Sequence, residues 1–438
     1  MQNIHSRVSD NKNHNIHILL LLFLISVIIP IIINAGSVRL SIYCIILIIG
    51  FAPVIIIFMK TTKFKINRTD IYIFLFCLWS SIALIVNHGI EFSFEPIGIL
   101  FLETMGAYLF GRCFVTNSVL LFKTARIFFV ITLIFTPLAI FEAVTGVNIA
   151  LQAFGAIGPV FENVPKDPRW GLDRVQGPFE HPILFGVYFG CFISMTFYIV
   201  CYKYSYLSKT LCALLVVFIS ALCLSSGPLT AFVAQIALIS WDLIFSRVKK
   251  KWTILSILVV LMWITVDIIS NRSPPEVFIS YFAFSEATAY NRILIWDFGI
   301  ISVKEFPVFG IGFHEWKRAW FMSTSFDMFW LLNAVTFGLL GGVFMMMAFF
   351  STTIALIRAK ISDKKVSAYR KALVFTLIGF FLVGWTVHFW NATYVLLVFL
   401  FGCCQWLRDY ADEDTAVPSD IDAAQPPRIR AILGQAED

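Results

Sequence analysis

The stretch RVKKKWTILSILVVLMWITVDIIS, residues 247–270, decides the fold class of this chain. Four basic residues, Arg247, Lys249, Lys250 and Lys251, abut an apolar run whose single charge is Asp267. A run of about twenty such residues, wound as a helix, spans the hydrocarbon layer of a bilayer. Comparable runs recur along the chain, and helices are expected at about 17–34, 40–59, 71–87, 96–110, 127–143, 182–202, 209–225, 229–245, 252–270, 326–350, 371–388 and 391–406. Composition agrees: 59% of the 438 residues are hydrophobic and 14% charged, where a soluble domain carries about 25% charged residues. The short alternating segments of a transmembrane barrel are missing. The expectation is an all-α polytopic membrane protein of about twelve transmembrane helices.

Charge placement sets the orientation. Basic clusters at Lys60/Lys63/Lys65/Arg68, Arg112/Lys123/Arg126, Arg247/Lys249/Lys250/Lys251 and Arg358/Lys360/Lys364/Lys365/Arg370/Lys371 each follow an even-numbered run. By the positive-inside rule those loops and both termini face the cytoplasm. The net charge of +6 therefore calls for no nucleic-acid partner. Residues 1–16 are polar and weakly basic; no small-x-small cleavage site follows the first run, which reads as an uncleaved helix. After Trp406 the chain turns acidic (Asp409, Asp412, Glu413, Asp414, Asp420, Asp422), and 407–438 reads as a disordered cytoplasmic tail. The nine cysteines lie in or at the cytoplasmic ends of apolar runs, as small apolar fillers. No Cys/His spacing resembles a metal site, and no cofactor is expected.

Two outer segments, about 144–181 and 271–325, exceed the usual connection length. Both are too apolar for linkers, so they are expected to fold as a periplasmic cap. Tyr290 to Phe306 has a helical pattern and is expected to lie along the membrane surface or over the bundle.

Candidate chemistry gathers there. Arg174 precedes Gly177-Pro178-Phe179-Glu180-His181-Pro182, and Pro182 suits the first position of a helix. A helix N-terminus beside an arginine can hold a phosphate. Alternatively, Arg174 snorkels to lipid headgroups while Glu180 and His181 cap the helix. Arg292, in an apolar stretch, requires an anionic partner: Asp297, a lipid phosphate or a substrate. His314, with Lys317 and Arg318, is either functional or the solvated rim of the cap. Asp327, at the mouth of the next helix, is either an N-cap or a carboxylate placed to accept a proton or hold a sugar.

The order of these segments carries more than any one of them. Arg174-x-x-Gly177-x-Phe179 precedes a helix. Asn291-Arg292-x-x-x-Trp296 follows, with Pro307-x-x-Gly310-x-Gly312-Phe313. Phe329-Trp330-Leu331 then comes before Gly338-x-x-Gly341. Over about residues 90–345 the pattern resembles the bacterial O-antigen ligase and polysaccharide polymerase superfamily. That resemblance implies an inverting, metal-independent glycosyltransferase on the periplasmic face of the bacterial inner membrane. The implied donor is a glycan on undecaprenyl diphosphate, and the acceptor a sugar hydroxyl on a second lipid-linked glycan or on lipid A-core. Arg174 and Arg292 would hold the diphosphate, with Glu180 and Arg318 also at the substrate; membrane lipids and other polysaccharide-export proteins are the implied partners. Family ligases carry a His-Asn-like pair eleven residues before the first glycine of Gly-x-x-Gly, where this chain has Asp327-Met328. The base is then Asp327, or His314 or His181, and the polymerase branch is favoured.

A twelve-helix transporter or flippase is the alternative, and a non-catalytic scaffold of an export complex is a third reading. A carrier places ionisable groups at the bilayer midplane. Glu103 and Asp267 are the main such residues within the apolar runs.

Overall fold

A computed structural model describes residues 18–36, 38–60, 65–164, 166–281 and 286–416. The chain begins with α1 (18–26) and a hairpin of β1 (Ile32–Ala35) and β2 (Val38–Ser41), antiparallel, pairing Ile32 with Ser41. Then come α2 (Ile42–Lys60), α3 (Arg68–His88) and α4 (Ile90–Phe101), which runs through a π-helical turn (Leu102–Gly106) into α5 (Ala107–Phe114). Next are α6 (Ser118–Thr145), α7 (Ile149–Gly155), α8 (Pro182–Gly190) and α9 (Ile193–Met195), with a second π-helical turn at Thr196–Val200. The remainder is α10 (Tyr206–Ala221), α11 (Ser226–Ile244), α12 (Lys251–Ile269), α13 (Pro274–Tyr281), α14 (Glu286–Glu305), α15 (Phe329–Arg358), α16 (Lys364–Val383) and α17 (Ala392–Ala416).

Among the described residues nine helices are long and apolar enough to cross a membrane, and α10 is a shorter apolar helix. The architecture is that of a mostly helical, multi-pass membrane protein. One correction falls at the start. The helix expected over 17–34 ends near Ser26, and the chain turns into the hairpin. Pro30 cannot donate a ladder bond, and the β-branched run Ile31-Ile32-Ile33 suits a strand better than a helix. Ile31 also bridges to Val160 of the first long loop, and Ile32 N donates to Pro159 O at 2.8 Å. A second difference lies at the other end. The helix expected to stop at 406 continues to Ala416, because Asp409 is drawn onto Arg112 Nη1 at 2.8 Å. Residues 1–17 and 417–438 lie outside the described residues.

The large core is built by helix faces that meet inside the bundle, with α17 packed on α5 and α3 on α15. A second apolar cluster belongs to the long 271–328 segment: Ile279, Ile295, Ile311, Trp316, Met322 and Phe326, joined by Met328 and Val335. This segment therefore folds around its own core over one end of the bundle.

Its attachment explains the glycine motifs. Helix α15 is broken at Gly338 (φ 77°, ψ 176°), a conformation that disfavours a side chain. The turn at Pro307 to Gly312 docks on that break. Ile311 N donates to Val335 O and Gly312 N to Thr336 O (both 2.9 Å), and Leu339 N to Pro307 O at 2.8 Å. Trp79 Nε1 takes the Phe337 carbonyl at 2.9 Å. Backbone groups freed by the break are thus re-satisfied by another segment, as burial in an apolar layer demands. A Cβ on Gly310 would lie 2.5 Å from the carbonyl oxygens of Val335 and Thr336, so neither glycine tolerates a side chain.

Helix α12 stands apart: none of its residues is buried. Its first residue is fixed by Lys251 Nζ on Asp242 Oδ1 at 2.7 Å, and Trp252 meets Phe375 edge-on. If α12 crosses the membrane, Lys249→Cys and Ser323→Cys lie on opposite sides. In a Cys212→Ser background, where the other eight cysteines are buried, an impermeant maleimide applied to spheroplasts should label one of the two and reach the other only after lysis. Labelling of both from the same side would remove the crossing.

Candidate functional site

The non-helical ends at the hairpin side of the bundle converge. The first long loop is organised by Glu142, the buried carboxylate near the end of α6. It accepts from Gln176 N at 2.7 Å and Gly177 N at 3.1 Å, while Asn148 Nδ2 donates to Gly177 O at 2.8 Å. Gln176 then ties Phe179 O and Glu162 O, both from Nε2. This fixes the strip that carries Arg174, Glu180 and His181.

Arg174 reaches the tight turn between α10 and α11, where Nε donates to Cys223 O at 3.2 Å. Arg169 of the same loop takes the next carbonyl, Nη1 to Leu224 O at 2.7 Å. Leu224 itself is left-handed (φ 45°). The next residue, Ser225, is the cap of α11 and makes no side-chain capping bond among the described residues. Two arginines from one loop are thus anchored at the N-terminus of a long helix.

Arg292, on α14, comes to the same place from the other loop. Its residue is 4% exposed, and Nη1 has no hydrogen-bond partner among the described residues. Nη2 lies 3.5 Å from where a Cβ on Gly227, in the first turn of α11, would stand. Burial pushes the guanidinium down to about 10; Asp327 opposes that and Arg169 adds to it. Arg174 is likewise lowered, first by burial and then by Arg169. A helix N-terminus already carries positive partial charge. Cations gathered there are the wrong sign for stability alone, and the sign that suits a multiply charged anion.

The ring of contacts closes through the segment before α17. Gly227 is packed against Val387 and lies near Thr386, and Phe329 N donates to Val387 O at 3.1 Å. His388 stacks near Phe329 and Trp390, with a buried Nδ1 that has no partner among the described residues. Asn391, left-handed at φ 49°, donates from Nδ2 to Glu180 Oε1 at 2.6 Å. Glu180 Oε2 is likewise buried without a partner among the described residues. Burial raises this carboxyl to about 7, with the Asn391 bond pulling the other way.

The remaining candidates separate. His181 is the N-cap of α8, its Nδ1 accepting from Ile183 N at 3.1 Å with Pro182 at the first position. Burial, Lys166 and Arg174 lower it to about 4, so it is neutral, and the cap occupies the lone pair a base would use. Asp327 does not cap α15; that position is Met328, without a side-chain bond. Asp327 is half-buried, accepts from Ser325 Oγ at 2.7 Å and stands in electrostatic range of Arg292. Asp297, a candidate partner of Arg292, does not figure among the charges acting on it. His314 is exposed and lies against the His88 ring, 4.5 Å between centroids, while His88 Nε2 accepts from Phe313 N at 2.8 Å. Arg318 pairs with Glu315 at 3.1 Å and Lys317 with Glu305 at 2.5 Å. These residues form a rim tied to α3 rather than to the arginine cluster.

Sequence reading passed over Arg169, Glu142 and His388. Glu142 carried a usable signal, as a lone carboxylate ending an apolar run. His388 was read only as a turn boundary. The two cavities of about 470 and 440 Å³ lie elsewhere, between α12 and α13 and between α1 and α6. No known family model matches the chain, and no curated protein does so.

Glu142→Leu tests the scaffold. It leaves two buried N–H groups without an acceptor, at about 1–3 kcal/mol each. Hydrogen exchange of the 174–181 amides should accelerate at least about tenfold, with the helices unchanged. Unaltered protection there would show that the strip holds itself.

Proposed function

We propose that this protein is an inverting glycosyltransferase of the bacterial inner membrane that draws its glycan from undecaprenyl diphosphate. On this reading the loop-rich end faces the periplasm, both termini face the cytoplasm, and the chain crosses the membrane about twelve times. The two long loops then form a cap over the site.

One observation carries the reading. Arg292 is buried with an unpartnered Nη1 at the N-terminus of α11, where Arg174 and Arg169 also converge. Leaving such a cation unmatched is costly. A diphosphate offers two linked anionic centres, oxygen acceptors suited to guanidinium forks, and a position at the membrane surface when attached to a lipid. Arginines that take up the charge of the departing diphosphate also lower the barrier to its departure. Asp327 serves in this reading as the counter-charge that keeps Arg292 oriented. The acceptor is a sugar hydroxyl, on a second lipid-linked glycan or on lipid A-core. Asp327-Met328, in place of a His-Asn-like pair, favours the polymerase.

A transporter or flippase draws support from Glu103, which sits in the π-helical turn of its span and accepts from Tyr43 Oη at 2.7 Å. A carrier has no need of three arginines at a surface helix end. In a strain lacking the gene, Arg174→Ala and Arg292→Ala copies should each cut polymer formation by about 10²-fold or more, with membrane levels of the protein unchanged. Normal chain lengths from both variants would sink the diphosphate reading. Loss of lipid-linked glycan from the outer leaflet would favour the flippase.

A further inference from the structure

We infer that Glu180, held by Asn391, forms with His388 the subsite for the acceptor sugar, and that the Glu180 carboxylate takes the proton of the attacking hydroxyl. This rests on the transferase reading above, since a base is needed only if a hydroxyl attacks the lipid-linked glycan.

Elimination is the first step. A group that removes a proton needs a lone pair that is neither spent nor neutralised. His181 spends Nδ1 on the cap of α8. His314 lies on the rim against His88. Asp327 accepts from Ser325 Oγ and faces Arg292. In the ring of segments that encloses the turn before α11, two buried side-chain atoms able to accept have no partner among the described residues: Glu180 Oε2 and His388 Nδ1. Buried polar atoms are nearly always satisfied, so two such atoms on contacting segments point to a polar ligand. A sugar supplies neighbouring hydroxyl donors, one for each atom.

Placement is the second step. Glu180 lies six positions after Arg174 on the strip fixed by Glu142. Asn391 Nδ2, at 2.6 Å, fixes Oε1 and leaves Oε2 as the reactive oxygen. Residues 386–391 touch α11 at Gly227 and reach Glu180 through Asn391, so one short segment joins the diphosphate side to the hydroxyl side. Inversion then has the attacking hydroxyl and the diphosphate on opposite faces of the anomeric carbon. The hydroxyl proton passes to Glu180 Oε2 while the hydroxyl oxygen bonds to the anomeric carbon. The bond from that carbon to the diphosphate oxygen breaks, and its electron pair leaves with undecaprenyl diphosphate, where Arg174 and Arg292 meet the added charge. His388 accepts from a second hydroxyl and positions the ring.

Glu103 in the π-helical turn interacts electrostatically with this carboxyl, and His181 is its neighbour in the chain. Burial, the larger influence, holds the carboxyl near 7, and the Asn391 bond favours its ionised form. Activity should therefore rise with pH through about 7, as Glu180 ionises.

The test uses membranes that contain the full-length protein and its native lipid-linked glycan, with polymer formation followed from pH 5.5 to 8.5, about the range in which such a carboxyl titrates. Glu180→Gln should lower the rate by about 10²-fold or more and abolish the rise near pH 7. Binding of undecaprenyl diphosphate to the purified variant should stay within about twofold of wild type, since uniform loss of donor binding is not what removal of a base produces. Asn391→Gly suits the left-handed backbone and leaves the carboxylate in place; it should shift the rise to higher pH. It also serves if Glu180→Gln fails to accumulate. His388→Asn should raise the acceptor KM more than it lowers kcat. A wild-type rate and pH profile in Glu180→Gln, or an unmoved profile in Asn391→Gly, overturns the assignment. If Arg292→Ala is inactive in the same membranes, the diphosphate reading survives that result; if Arg292→Ala is also active, both fall.

Discussion

Inside a hydrocarbon layer every backbone N–H and C=O must find its partner within the protein, and this constraint shapes the molecule beyond making it helical. Each place where a helix is interrupted is covered by another segment. Gly338 opens α15, and the turn at Pro307 to Gly312 fills the opening with its own main-chain bonds. The α10–α11 turn exposes the carbonyls of Cys223 and Leu224, and Arg174 and Arg169 take them. Glu142 does the same for the amides of Gln176 and Gly177. The polar side chains at the loop-rich end are therefore first of all repairs to broken backbone. Chemistry grows from these repairs, because an arginine fixed through one nitrogen can offer others to a ligand.

The same constraint bears on where the proposed site lies. A helix N-terminus in the middle of the layer would be an exposed row of donors, whereas at the surface it can be matched by an anion from outside. The first turn of α11 is buried within the protein, and Gly227 keeps space beside the guanidinium of Arg292. The proposed donor and acceptor subsites then share one loop and draw their other residues from different segments. Residues 169–181 contribute to both, α14 to the first, and residues 386–391 link them. Damage to Glu142 would disturb both through the strip it holds, without either subsite losing a contact of its own.

What could be read from sequence follows the range of the forces involved. Apolar runs and flanking cations are local signals, so most of the spans and the helix at 290–306 were legible. The first helix was not, because Ile32 and Ile33 pair with β2 and Ile31 bridges to Val160, more than a hundred residues away. The continuation of α17 past 406 likewise depends on Arg112, remote in sequence from Asp409. Arg174, Arg292 and Glu180 were visible as polar residues in apolar loops. That Arg318 and His314 are tied to Glu315 and His88 could not be seen without the fold. Glycine spacing marked the right positions, but its meaning here is a main-chain graft between a loop and a broken helix.

The two ends of the bundle offer a comparison that separates structural charge from functional charge. At the end opposite the long loops, Arg112 is enclosed by Asp409 at 2.8 Å and Asp70 at 3.6 Å, with Tyr108 Oη on the same Asp70. Asp242 is matched by Lys251 at 2.7 Å and Lys371 at 2.6 Å. These clusters contain both signs, and each stabilises itself. At the loop-rich end Arg174 and Arg292 form no ion pair among the described residues, and the guanidinium of Arg292 is almost as deeply buried as that of Arg112. A chain that neutralises its buried charges so fully at one end has the means to do so at the other. Breaking the inner pairs would leave charges uncompensated within the protein, which is why their effect on folding is expected to be large. Arg174 and Arg292 have no ion pair of that kind among the described residues, and the proposed diphosphate would supply the missing anion.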